Sequence, residues 1–438
     1  MRFLSRLLVP FVPLLALSVA LAPAGASPEL SPRARDLVAD AARLSDALWD
    51  ARAGLLWNNE KHESHGVRAS SWYVLGLMAR DQPGDRERAL AALRAVLAQQ
   101  IDAPGAPWDG TFYRTAEESQ PRHDAKIWHD YDPNWRQFIG SAFALLLLEY
   151  EDRIPVADRE AIERSLERAV SGELQHGRLR PSYTNIALMH GFLQGYAGQR
   201  LNRPDWVRAS ETWIKAVHAE FAPHQSFDEF NSPTYYGVDL YGLALLRRHG
   251  ATPLLRQRGA EMEAALWRDI AKFYHADLHN LAGPFDRTYG MDLQRYVSLT
   301  GVWLRLALPL DEVPLPPLAT KMDHGRDFLF GPCFALLGAE IPADALPHFT
   351  QFSGERLLRR PIADGKRIAT AWLGRHLMIG AEHTGLSREA RGPTGQFRPA
   401  TIHWRAGPDT LGWIALIQSP RVDAEASAHA LSIRAIGD

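Results

Sequence analysis

An amide, a pair of phenols, a guanidinium and a further phenol follow one another along this chain at wide, fairly even intervals: Asn185, Tyr235 and Tyr236, Arg287, Tyr289. Such a set suits β-elimination from a uronic acid, which removes the proton beside a sugar carboxylate and expels the glycosidic oxygen. That proton is only weakly acidic while the carboxylate is charged. A site must therefore neutralise or hydrogen-bond the carboxylate, accept the proton and protonate the leaving oxygen. Asn, His and Arg meet the first need, and Tyr or His the other two. A free phenol ionises near pH ~10, so a Tyr base at neutral pH needs a drop of about three units, roughly 4 kcal/mol. Arg287 or a charged His would supply much of it in a confined cleft. His129 is a further candidate for proton transfer, and Asn134, Trp135, Trp72, Asn231 and His190 are assigned to sugar binding.

The elements that must hold these groups start with the stretch Phe230 to Tyr241. Ser232 followed by Pro233 reads as an N-cap and first helical position. Tyr235 and Tyr236 then fall in the first turn, about 100° apart, so at most one looks squarely into a cleft. Val238 to Leu246 is apolar on nearly every side apart from Asp239, the mark of a helix buried all round.

From Ser31 to about Leu308 two kinds of helix alternate. Amphipathic stretches, such as Asp158 to Val170 and Asp205 to Phe221, have one wet face. Apolar, glycine-bearing stretches (Ser70 to Arg80, Trp135 to Tyr150, Asn185 to Gly198, Pro233 to Arg248, Leu293 to Leu308) are enclosed. A polar loop precedes each apolar helix. The markers Trp72, Trp135, Asn185, Tyr235 and Tyr289 are 63, 50, 50 and 54 positions apart. That period fits a helical hairpin. An inner ring within an outer ring, an α/α toroid, satisfies the alternation and opens every polar loop on one rim; an open solenoid of helix pairs is the alternative.

Beyond Pro309 the composition changes. Leu315-Pro316-Pro317-Leu318 resembles a linker, and short strand-like runs follow: His348 to Phe352, Arg367 to Leu373, His376 to Glu382, Thr401 to Arg405, Leu411 to Gln418. Leu373-Gly374-Arg375-His376 reads as a tight hairpin. The expected fold is thus α+β and multidomain: an α/α toroid, complete or incomplete, over 27–314, a connecting segment over 315–346, and a C-terminal antiparallel β-sheet domain, sandwich-like, over 347–438.

At the other end, Arg2 and Arg6 precede an apolar run from Leu7 to Leu21 and the small residues Ala22-Pro23-Ala24-Gly25-Ala26. This reads as a secretory signal peptide over 1–26, cut after Ala26, which implies a periplasmic or secreted protein with no membrane anchor after cleavage. The single cysteine, Cys333, excludes an intrachain disulfide. A formal net charge of −2 leaves no footprint for nucleic acid or an anionic membrane.

Asn185, then Tyr235-Tyr236 about fifty residues on, Arg287 and Tyr289 beyond, and a β domain after the helices, resemble the toroidal polysaccharide lyases of the heparinase II/III, alginate lyase and chondroitin AC/hyaluronate lyase groups. The resemblance implies Asn185 as neutraliser, Arg287 as its partner, and Tyr235 or Tyr236 in proton transfer. It also implies an acidic polysaccharide or oligosaccharide as substrate. The contiguous Asn-His signature of some members is absent, and His190, five residues after Asn185, would point elsewhere. The second acid or base then falls to His129 or Tyr289.

Three other readings stand beside this one. Asp132, Asp228, Glu229, Asp286 and Asp292 lie in cleft loops, and a carboxylate pair across a sugar would make an α/α-toroid glycoside hydrolase acting on unsaturated uronides. Of these, Asp132 reads as a helix cap and Asp286 as an ion-pair partner of Arg287. A carbohydrate-binding protein without catalysis is the second. The third concerns His62, Glu63 and His65, whose spacing suits a structural divalent metal but marks no further ligand, so no cofactor is expected.

Overall fold

Three of the helix starts described carry a side-chain cap. In a computed structural model describing residues 29–319, 321–362, 365–383, 396–408, 410–417 and 422–435, Ser31 caps α1 (Pro32–Asp46) by accepting from the Ala34 amide, with Pro32 in the first turn. Thr252 does the same for α9 (Pro253–Phe273) through Leu255. The other long helices are α2 (Val67–Arg80), α3 (Asp85–Leu97), α4 (Trp135–Tyr150), α5 (Val156–His176), α6 (Thr184–Arg200), α7 (Pro204–Phe221) and α8 (Tyr235–His249). The shorter ones are α10 (Leu299–Leu304), α11 (Gly331–Leu337) and α12 (Pro347–Thr350). The expected signal peptide over 1–26, and the extreme C-terminus, lie outside the described residues. No helix among the described residues is long and apolar enough to cross a membrane.

The alternation read from sequence sorts the helices as anticipated. α2, α4, α6 and α8 are buried nearly all round, while α3, α5, α7 and α9 keep a wet face. The pairs α2–α3, α4–α5, α6–α7 and α8–α9 pack as hairpins, and the enclosed members lie side by side in the order α2, α4, α6, α8, α10. Glycine permits this spacing. A Cβ on Gly237 would stand 2.3 Å from that of Leu299 on α10, and one on Gly191 would stand 2.4 Å from Ile214 Cδ1 on α7. The enclosed row is the floor from which the polar loops rise.

Two expectations for the helical region are corrected. The last apolar helix spans Leu299–Leu304 and not 293–308. Its preceding backbone is used elsewhere: Asn280 holds the Met291 carbonyl and the Leu293 amide, and Val297 bonds to Asp323. Tyr289 therefore sits in a loop and not at a helix mouth. The segment 315–346, read as a connection, carries a buried 3-10 turn over 325–330 and then α11. Phe328, Phe330, Cys333 and Phe334 join the main core there, and α11 touches α1, α2, α8 and α10. Pro and Gly marked this stretch as loop, whereas its Phe-rich half completes the packing of the inner helices.

Three short antiparallel strands, β1 (Trp49–Asp50), β2 (Leu55–Trp57) and β3 (His65–Gly66), lie beside α2, and β4 (Tyr274–His275) pairs with β5 (Asn280–Leu281) after α9. The C-terminal region is a five-stranded antiparallel sheet in the order β10-β9-β8-β7-β6, built from β6 (Arg356–Ile362), β7 (Arg367–Leu373), β8 (Leu377–His383), β9 (Ala400–Gly407) and β10 (Thr410–Leu416). A hairpin of β11 (Val422–Ser427) and β12 (Ala430–Ala435) packs on it. Strand alternation decides which face goes where. Ala369, Ala371, Leu373 and Met378 join the helical core, while Trp372, Ile379 and Ala381 turn to Ala424 and Ala426 of the hairpin. The molecule is α+β, and one face of its sheet is buried against the helices. The 348–352 run, expected as a strand, is α12, set by Pro347 in its first turn. β6 carries Arg356, Arg359, Arg360 and Pro361, an edge-strand composition that hid it from an apolar pattern.

Candidate functional site

α6 opens on Thr184 and Asn185, whose side chains both reach one carboxylate. Thr184 Oγ1 and Asn185 Nδ2 donate to Glu229 Oε2 at 2.9 and 2.5 Å. Arg287 Nη1 donates to the other oxygen, Oε1, at 2.6 Å. Glu229 lies in the loop before α8 and so joins the α6 mouth to the 283–292 loop.

From Arg287 the network continues into the phenols. Its Nη2 donates to the Tyr235 hydroxyl at 2.5 Å, with its Cζ 3.8 Å from that ring's centre. The Tyr235 and Tyr289 hydroxyls lie 2.7 Å apart, and His324 stacks on the Tyr289 ring at 4.4 Å. The helix starts at Tyr235 itself, two residues beyond the expected Pro233, with Thr234 at the cap position; the Ser232 hydroxyl still accepts from the Tyr235 amide at 3.1 Å. Burial pushes the Tyr235 phenol well above its ordinary range, and Tyr289 and Glu229 add to this while Arg287 opposes it. Burial works against the Arg287 charge too, yet Glu229 and Tyr235 outweigh it and hold that guanidinium protonated.

Arg287 has five N–H bonds. Glu229, Tyr235 and Gln396 each take one, on Nη1, Nη2 and Nε respectively. Among the described residues this leaves one hydrogen on each terminal nitrogen without a partner, available to a carboxylate.

Thr184, Asn185, Glu229, Tyr235 and Arg287 line one cleft of about 730 Å³, within the ~300–1,000 Å³ that small-molecule sites occupy, while Tyr289 joins it only through its bond to Tyr235. Asn134, Arg178 and Tyr183 form part of its opposite lining. Asn134 Nδ2 donates to the Tyr183 hydroxyl at 3.0 Å, and Arg178 Nη2 donates to Asn134 Oδ1 at 2.7 Å. Arg68 and the exposed Trp128 complete the cationic and aromatic lining.

The sheet also reaches the site. Arg367 of β7 lines the cleft and is paired in the interior with both Asp286 and Glu382. Gln396 Oε1 accepts from Arg287 Nε at 2.9 Å, and its carbonyl accepts from the Thr288 amide at 3.0 Å. Phe285 and Arg398 exchange backbone hydrogen bonds of 3.1 and 2.9 Å. The loop bearing Arg287 is therefore clamped to the β region on two sides.

Of the residues assigned from sequence, Asn185, Tyr235, Arg287, Tyr289 and Asn134 come together. The others do not. Tyr236 is 1% exposed in the core, and its hydroxyl meets Asp269, at 3.5 Å, and the Asn231 backbone; the turn of the helix gives the cleft to its neighbour. His190 faces α7, edge-on to Trp213, and burial lowers its pKa to about 4. His129 is exposed and paired with Asp130 at 2.7 Å, while Trp128 beside it lines the cleft. Trp72 is stacked on Phe330 in the core, and Trp135 packs with it on Arg68. Asn231, at φ +53°, donates to the carbonyls of Ala282 and Pro284 at 2.7 and 2.9 Å. It braces a loop.

The carboxylates divide similarly. Asp132 accepts from the Asn134 amide at 2.9 Å, just ahead of α4, and Asp292 accepts from the Gln294 amide at 2.9 Å. Asp286 pairs with Arg367 and not with its neighbour Arg287. In the His62–His65 segment, Glu117 and Asp50 occupy both ring nitrogens of His65 at 2.6 and 3.1 Å, His62 stacks on Trp57, and Glu63 accepts from Asn59. No group of three metal-binding side chains occurs among the described residues.

Glu229 was visible in sequence as one acid among five; nothing in its spacing singled it out as the hub. Arg367 and Gln396 carried no signal at all, since they arrive from a strand and a loop far along the chain.

The model of a domain of unknown function, DUF8769, matches residues 35–339. The chain belongs to the DUF8769 family. Its match runs through α11, in keeping with the burial of that helix in the main core. A second domain of unknown function, DUF8770, matches 353–435, the sheet region. No curated protein matches the chain. Among solved structures, the chondroitin AC lyase of Streptomyces coelicolor A3, in complex with chondroitin sulphate, is similar over 89% of this chain and 55% of that one. The identity is 13% and the TM-score 0.48. This DUF8769 member spans about half the length of that enzyme, and a likeness at this level assigns no residue a role.

Proposed function

We propose that this DUF8769 member is a secreted or periplasmic polysaccharide lyase that cleaves a uronic-acid glycan by β-elimination. In this proposal the enclosed helix row curves into an α/α toroid, the helical region to about residue 314 is the catalytic unit, and the region from 347 is a β-sandwich-like domain walling the cleft. The observation that carries the reading is Arg287, which bonds at once to Glu229 and Tyr235 while keeping two hydrogens for a substrate.

In the reaction, the substrate carboxylate takes the free fork of Arg287 and competes with Glu229 for the Asn185 amide. Drawing charge off the carboxylate acidifies the adjacent C–H. As that proton leaves, its electron pair forms the carbon–carbon double bond, the glycosidic C–O bond breaks, and the departing oxygen collects a proton. Tyr235, kept neutral by burial, suits the donor's part. The abstracted proton goes to an ionised phenol, and in this proposal the phenolate of Tyr289, bonded to Tyr235, takes it while Tyr235 gives its own proton to the departing oxygen.

The hydrolase reading has less support, because Glu229 and Asp286 are tied to Arg287 and Arg367, and Asp132 to a backbone amide. Incubation with a panel of uronate polymers, followed by ultraviolet absorbance of the unsaturated product, tests the proposal. Reducing-end release without that absorbance would point to a carboxylate pair instead, and binding without either signal to a carbohydrate-binding protein.

A further inference from the structure

Five arginines line the cleft, and they are not equivalent. Arg178 is paired with Glu173, Arg287 with Glu229, and Arg367 with Asp286 and Glu382. Arg68 and Arg180 have no hydrogen-bonded or ion-paired carboxylate among the described residues. Arg68 lies over three rings, with its Cζ 5.1 Å from the centres of Trp72 and Trp135 and 4.7 Å from that of Phe138. A guanidinium held by aromatic rings and not by a bonded carboxylate keeps N–H groups for a ligand. Asp327 feels the charge of Arg68 without bonding to it, and burial pushes that carboxyl up to about 6. Two cleft cations thus have no bonded carboxylate among the described residues, one held on an aromatic platform and one on the exposed rim.

We propose that Arg68 and Arg180 take a second acid group of the substrate, a carboxylate or sulfate on a sugar next to the one whose carboxylate faces Asn185 and Arg287. The preferred ligand is then a polyanion with closely spaced acid groups and not a chain with isolated ones. This inference rests on the lyase reading for which sugar is cleaved, but its test does not require turnover. Calorimetric titration of the Tyr235→Phe protein would use three oligosaccharides of equal length. One alternates uronate with a neutral hexosamine, one carries sulfate on that hexosamine, and one is a homopolymer of uronate.

At least one of the two denser anions binds about tenfold or more tightly than the unsulfated alternating chain, as expected for a charge-assisted contact. Which one does so identifies the acid group as sulfate or carboxylate. The advantage falls to less than about twofold in Arg180→Ala, an exposed change that leaves the core alone, and in Arg68→Met, which keeps the stem on the rings. Equal affinities in the parent protein, an advantage that survives both substitutions, or no binding by any of the three would overturn the proposal. If discrimination is found but active protein yields no unsaturated product, the anion subsite stands and the lyase reading falls; turnover without discrimination gives the reverse.

Discussion

Tyr235 and Tyr236 are adjacent, chemically identical, and have opposite fates. The sequence put both at a helix start and allowed one into the cleft; which one depends on the helical phase set by the Ser232 contact, which a local pattern does not resolve. Tyr235→Phe keeps the ring on Arg287 and removes the hydroxyl that links it to Tyr289. It is expected to lower kcat on the cleaved polymer by about a hundredfold or more, in the range of a positioned acid–base group. Tyr236→Phe deletes buried contacts to Asp269 and the Asn231 backbone and none in the cleft, so activity stays within about twofold while stability falls by about 1–2 kcal/mol. Steady-state kinetics and thermal melts of the two proteins separate these outcomes.

The raised Tyr235 pKa also fixes the sign of a pH effect. A donor must be protonated, and burial keeps Tyr235 so through neutral and mildly alkaline pH. kcat should therefore show no alkaline loss from this group over that range. If Tyr235 were instead the base, its ionised fraction, and with it kcat, would climb tenfold per pH unit across the same window.

At the scale of elements, helix type was legible because burial imprints itself on hydropathy, and the enclosed and amphipathic helices alternate as read. The mouth of α6 and the start of α8 were legible for the same reason. What pairs distant elements was not. Arg367 of β7 clamps the loop of Arg287 through Asp286, an interaction spanning 81 positions, and neither strand periodicity nor the charge of one arginine announces it. The short α10 shows the same limit: an apolar run predicts a helix, while Asn280 and Asp323 claim its backbone first. Removing Arg367 takes from the buried Asp286 and Glu382 a cation that both share, so Arg367→Ala should cost about 3–5 kcal/mol. Chemical denaturation measures that. Gln396→Ala, which frees only Arg287 Nε, should lower kcat more than stability, with part of the loss restored by Gln396→Asn.

Across the whole molecule, one apolar core runs from α1 through the inner helices to the sheet face, so the cleft is bounded by a joined body. Four buried histidines, His65, His190, His275 and His403, lie among the described residues. Burial lowers His190 and His403 to about 4, from an ordinary value near 6.5. Above pH ~7 neither folded nor unfolded chain protonates them, and their neutral forms cost nothing. As pH falls from about 6.5 to 4 the unfolded chain takes up protons that the folded chain refuses, so stability declines by up to about 3 kcal/mol per histidine. Melts across this interval should show that fall, and His190→Phe should make it shallower.

The central claim is that one pocket joins a carboxylate-binding guanidinium to a proton-bearing phenol for elimination. Its most direct measurement is continuous ultraviolet absorbance during incubation of the purified protein with uronate polymers, alongside Arg287→Ala and Tyr235→Phe. The account predicts that absorbance of the unsaturated uronide grows with the parent protein on at least one polymer and is lost in both variants. Chain cleavage by the parent without that absorbance, or undiminished absorbance in either variant, would contradict it.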